Sequence, residues 1–81
     1  MLTISDFKKR VNKNIPEIYN YELIQEPYKF SIFMMFSSEI KATIEIKRPD
    51  GRFYNEKSWS VSSVEKGINT INNYLKEGKE Q

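Results

Sequence analysis

Two groups of cationic side chains are the residues in this sequence with the most obvious chemistry open to them. Lys8, Lys9, Arg10 and Lys13 crowd one short segment, while Lys47, Arg48 and Arg52 bracket the turn residues Pro49-Asp50-Gly51. Cations at that density can contact phosphate, so both groups are candidate nucleic-acid contacts. The ordinary alternatives are a solvated helix face for the first and solubilising charge beside a turn for the second. Bond-making chemistry has much less to draw on. The chain has no histidine and no cysteine, which removes the commonest general base, the thiolate nucleophile and the usual zinc ligands. Serines fall mainly at turns and caps with no base to activate them, and the carboxylates are scattered without a spacing that pairs them. No glycine-rich phosphate loop exists. The sequence therefore reads as non-enzymatic, with no cofactor and no metal.

The second feature is apolar. Tyr28-Lys29-Phe30-Ser31-Ile32-Phe33-Met34-Met35-Phe36 reads as a strand carrying apolar residues on both faces. Phe30, Ile32, Met34 and Phe36 recur at period two, while Phe33 and Met35 stand on the other side between Ser31 and Ser37. A strand with one face on a core and one in water alternates cleanly. Phe33 and Met35 are thus candidate anchors for a partner, with Lys47, Arg48 and Arg52 orienting the contact. Burying each of the two apolar side chains would contribute roughly 1.5–3 kcal/mol. A twin subunit or another part of the same fold covering that face is the structural alternative.

The elements that must position these residues follow from pattern and punctuation. Thr3-Ile4-Ser5-Asp6 offers a capping-box start, and Ile4, Phe7 and Val11 recur at helical spacing up to the stop at Pro16. That spacing predicts a first helix ending near Asn14, with the first cationic group on its outer faces. Tyr19–Gln25 reads as a strand, Pro27 as a turn, and Ile40, Ala42, Ile44 and Ile46 as the core-facing set of a half-buried strand. Pro49-Asp50-Gly51 is a hairpin signal, because proline presets φ early in the turn and glycine accepts φ > 0. Phe53–Ser60 returns, with either Phe53 and Trp59 or Tyr54 toward the core. Ser62-Ser63-Val64-Glu65 opens a final helix whose stripe is Val64, Ile68, Ile71 and Leu75, and Gly78 is placed to end it. Gly67 within that helix implies a close approach to the sheet.

The expected fold is α+β in two layers, α-β-β-β-α: three or four antiparallel strands with two helices on one face. Eighty-one residues make a single domain, taken as residues 1–78 with a loose tail at 79–81. A net charge of +2 is too small to imply nucleic acid by itself. No early apolar run resembles a signal peptide and no stretch approaches a membrane span, so a cytoplasmic location and no membrane partner are expected.

Taken together, the element order, Ile4-Ser5-Asp6-Phe7, the hairpin from Ile44-Glu45-Ile46 through Asp50-Gly51-Arg52-Phe53-Tyr54, and the closing Val64-Glu65-Lys66 helix resemble small phage-encoded anti-CRISPR proteins that block Cas9. The resemblance implies a phage or mobile-element protein that inhibits a host protein or protein–nucleic acid complex. The members it most resembles are acidic and occupy the site that reads target-adjacent duplex DNA, whereas Lys47, Arg48 and Arg52 make this tip basic. The same element order is similar to double-stranded-RNA-binding domains, whose second helix opens on lysines where this chain has Ser62-Ser63-Val64-Glu65-Lys66. The last hairpin and helix also have a looser likeness to single-strand-binding coactivator domains. Direct nucleic-acid binding and homodimerisation are the remaining partner expectations.

Overall fold

The computed structural model describes residues 1–35 and 37–78, so Phe36 as a core-face residue and 79–81 as a tail lie outside the described residues. Five strands form one antiparallel meander: β1 (Lys8–Val11), β2 (Tyr19–Gln25), β3 (Tyr28–Met34), β4 (Ile40–Lys47) and β5 (Phe53–Val61). One helix, α1 (Val64–Gly78), closes the described chain and packs against β3, β4 and β5. The α+β class is as expected, but the sheet is larger and only one α-helix is present among the described residues.

The first helix is the principal correction. Thr3 and Asp6 do make the expected cap, the Asp6 carboxylate accepting from the Thr3 amide at 2.8 Å. What it starts is a single 3-10 turn, Ile4–Asp6, after which the chain extends into β1. An isolated helix of about 11 residues is marginal in water, whereas β2 offers a full row of ladder partners. Phe7 is buried in the core, while Ile4 and Val11 stay exposed, so the supposed helical stripe is not used as one.

Tight connections set the register. Gln25 pairs with Tyr28 across the Glu26-Pro27 turn, whose peptide bond is cis. At the β4–β5 turn the Gly51 amide donates to the Arg48 carbonyl at 2.8 Å, and Gly51 takes φ +83°. Proline at the second position and a left-handed glycine at the fourth give a three-residue hairpin loop, as the sequence indicates. β5 then carries an irregularity opposite Ile44/Glu45, with Lys57 paired to Ile44 and Asn55 to Glu45. The extra residue reverses the alternation. Trp59 and Tyr54 therefore share the helix side, and Phe53 turns to the opposite face beside Lys47, which neither sequence-based register anticipates.

Phe30, Ile32, Ala42 and Ile44 of the two central strands meet Ile68 and Ile71 of α1, with Phe7 added from the edge. Gly67 lies against Ile32, where a Cβ would sit 3.3 Å from that side chain. The α1 cap is Ser63 rather than Ser62: its hydroxyl accepts from the Lys66 amide at 3.1 Å. Asn72 fastens the N-terminal segment to the helix, accepting from the Leu2 amide at 2.8 Å and donating to its carbonyl at 2.9 Å.

Candidate functional site

With α1 on one side, the other side of the sheet has no secondary-structure element over it among the described residues. Side chains alternate along each strand, so the paired residues dictate what stands on this face. One row crosses the sheet as Arg10, Asn20, Phe33, Lys41 and Ser60. The next is Lys8, Glu22, Ser31, Thr43 and Ser58. A third runs Ile24, Lys29, Glu45 and Asn55, and Lys47 with Phe53 ends the series. The face thus carries five cations and two carboxylates, a surplus of three against a whole-chain charge of +2. The rest of the molecule is slightly acidic.

The β1–β3 parts of these rows, with Thr43 and Glu45 of β4, form a shallow groove of about 500 Å³ lined by Arg10, Asn20, Glu22, Lys29, Phe33 and Glu45 among others. Ser31 and Thr43 are only 7% and 8% exposed, so the longer side chains around them form walls and these two form the floor. Asn20 Oδ1 is buried and has no hydrogen-bond partner among the described residues. Taking an amide oxygen out of water without a donor is costly, on the order of 1–3 kcal/mol.

Charge on the face is partly neutralised. Lys29 stands 3.8 Å from Glu22 and also approaches the Phe53 ring, 5.9 Å from its centroid. Lys47 pairs with Glu26 at 2.8 Å. Lys8, Arg10 and Lys41 make no ion pair among the described residues. Ser60, at the end of the Phe33 row, donates to Glu39 at 2.5 Å.

The sequence-derived candidates do not come together as one site. Phe33 is half-buried in its row, and Met35 lies just beyond β3 at 39% exposure. Between Met35 and the β1–β2 connection is a smaller hollow of about 140 Å³ lined by Ile15, Glu17, Ile18, Met34, Met35 and Ser38. Asn12 shapes that connection, its Oδ1 accepting from the Asn14 and Ile15 amides at 2.8 and 3.1 Å. Lys47, Arg48 and Arg52 lie at the opposite end of the sheet. Lys41 pairs with Phe33 while Lys47 pairs with Phe53, six residues further along β4, or about 20 Å. Arg48 lies over the Tyr54 ring, 4.5 Å from its centroid. The Tyr54 hydroxyl donates to the Asp50 carboxylate. That bond, with a second from the Arg52 amide to Asp50, holds the Asp50 carboxyl below its usual range, and the same Asp50–Tyr54 bond raises the Tyr54 phenol above its own.

The first cationic group is divided by the strand that replaces the expected helix. Lys8 and Arg10 join the uncovered face, while Lys9 turns to the helix side over Tyr19 and Tyr21, 5.5 Å from both ring centroids. Lys13 lies in the β1–β2 connection. Lysine and arginine along β1 also suit an edge strand, where charge discourages pairing with another chain. Asn20 and Phe53 were not among the sequence candidates. The signal for Asn20 was available, because a two-residue turn at Glu26-Pro27 places it opposite Phe33. Phe53 had no such signal, since the β5 irregularity decides its side.

No three histidine, cysteine, aspartate or glutamate side chains converge to hold a metal among the described residues. No helix there is long and apolar enough to cross a membrane. Comparison with family models, curated proteins and solved structures finds no match for this chain.

Proposed function

We propose that this protein is a non-enzymatic binding module of a phage or mobile element that acts in the host cytosol. It docks on a host macromolecule, a CRISPR effector being the type case, and inhibits it. The observation that carries the docking role is the uncovered sheet face, which keeps Phe33 in a groove and Met35 exposed at the same end. A small domain has an ordinary use for apolar side chains in its core, and these two are not in it. The CRISPR-effector part rests on the resemblance in the β4–β5 hairpin and the opening of α1. The basic hairpin tip, about 20 Å from Phe33, adds a second contact on a partner that spans the sheet.

Replacing Phe33 and Met35 together by serine should leave the melting temperature close to that of the parent and abolish partner capture. The direct assay is Cas9 cleavage of target DNA after preincubation with excess protein. Inhibition by the parent and its loss in the double variant are the expected results. Undiminished cleavage with the parent protein sinks the effector assignment, and a collapsed melting temperature in the variant shows both side chains to be structural.

A further inference from the structure

The row across the uncovered face has an order that a generic apolar dock does not need. An aromatic ring, Phe33, stands on the central strand with Asn20 on one side and Lys41 on the other, and Arg10 beyond Asn20. At a strand spacing of about 4.8 Å, Arg10 and Lys41 lie roughly 14 Å apart with the ring between them. Both cations lack an ion pair among the described residues, and the groove beside the ring has a floor of small hydroxyl residues. The buried Asn20 Oδ1, without a partner among the described residues, adds an acceptor next to the ring. A ring flanked by cations is how single strands are held: bases stack on the aromatic and phosphates follow the charge.

We propose that this row binds single-stranded nucleic acid, with a base stacked on Phe33 and the adjoining backbone phosphates on Arg10 and Lys41. Asn20 Oδ1, which has no donor among the described residues, accepts from the exocyclic amine of a base once the groove is occupied. Charge complementarity selects the occupant: Arg10 and Lys41 flank the ring without an ion pair among the described residues, while Glu22 and Lys29 pair with each other and Lys47 pairs with Glu26. The Glu22–Lys29 pair and Glu45 fill the middle of the sheet, so the strand crosses along the Phe33 row and not lengthwise toward Phe53. The inference rests on the proposed role of the uncovered face as the working surface and names the chemical class it takes.

Fluorescence anisotropy with labelled oligo-dC and oligo-dT of about twelve nucleotides, using the intact chain alone, tests it. Binding should weaken about seven-fold from roughly 50 to 200 mM salt, the response for two phosphate contacts on a single strand. Oligo-dC, which carries an exocyclic amine, should bind more tightly than oligo-dT, which does not. Phe33→Leu keeps an apolar side chain of similar volume but removes the stacking face, and should weaken binding by about five- to a hundred-fold. Phe33→Tyr should restore it. The exposed-side change Arg10→Gln with Lys41→Gln should weaken binding and flatten the salt response. No salt-dependent binding to either oligonucleotide, or a Phe33→Leu variant that binds like the parent, overturns the proposal. If oligonucleotides are refused while the Phe33 and Met35 serine variant still loses Cas9 inhibition, this inference fails alone and the face is a protein dock.

Discussion

At the residue scale, Asp50 and Tyr54 form a titrating pair joined by one hydrogen bond at the hairpin tip. The same hydrogen bond moves the two groups in opposite directions. It favours ionised Asp50, so the carboxyl is lowered from 3.8, and it favours protonated Tyr54, so the phenol is raised from 10.0. The sign of each effect on the tip follows. Asp50's contribution is present above its unfolded value and is lost as pH falls through the lowered one. Tyr54's is present below its unfolded value and is lost as pH rises through the raised one. The tip should therefore be most ordered between those limits, with the Arg48 guanidinium resting on the Tyr54 ring. Asp50→Asn should bring the Tyr54 titration midpoint down, read by ultraviolet absorbance against a Tyr54→Phe control. An unchanged Tyr54 midpoint in that variant would show that the bond does not persist in solution.

At the scale of elements, α1 depends on close contact at Gly67. A Cβ there would meet the Ile32 side chain at 3.3 Å, so alanine gains helix propensity of up to about 1 kcal/mol against a contact that Ile32 must relax. Gly67→Ala should fall within about 1 kcal/mol of the parent in urea denaturation, whereas Gly67→Leu should cost roughly 1–3 kcal/mol by overpacking. A leucine variant as stable as the parent would mean that α1 does not rest on Ile32. Gly67, the α1 stripe and the Pro49-Asp50-Gly51 hairpin were legible in the sequence because each is encoded by a local rule of turn chemistry or period. The N-terminal segment was not. Phe7 and Val11 are four residues apart, a spacing that puts them on one side of a helix and equally on one face of a strand. Only the ladder offered by β2 separates the two, and that partner is tertiary. The same limit applied to the candidate site. The parity of Phe33 could be read, but the gathering of Arg10, Asn20 and Lys41 beside it needed four strands in register.

Across the whole molecule, charge decides whether the uncovered face can meet its own copy. A two-fold dimer through that face sets each patch against itself, so a surface with three surplus cations faces the same surplus. Phe33 and Met35 are the apolar anchors such a dimer would share, and with Phe33 half-buried before any contact their burial has that repulsion to offset. Both sheet edges resist a second route to assembly. β1 carries Lys8, Lys9 and Arg10, and β5 is interrupted opposite Ile44/Glu45, so neither presents a long flat uncharged ladder. Self-association through the sheet should therefore be absent at low salt, where like charges about 10 Å apart remain unscreened, and sedimentation equilibrium at micromolar concentration should return the 9.6 kDa monomer. Raising the salt to about 1 M removes most of that repulsion, and any weak dimer should form there first. A doubled mass at low salt that Phe33→Ser with Met35→Ser returns to the monomer would overturn the assignment, making the face a subunit interface and leaving its cations to serve contacts between copies.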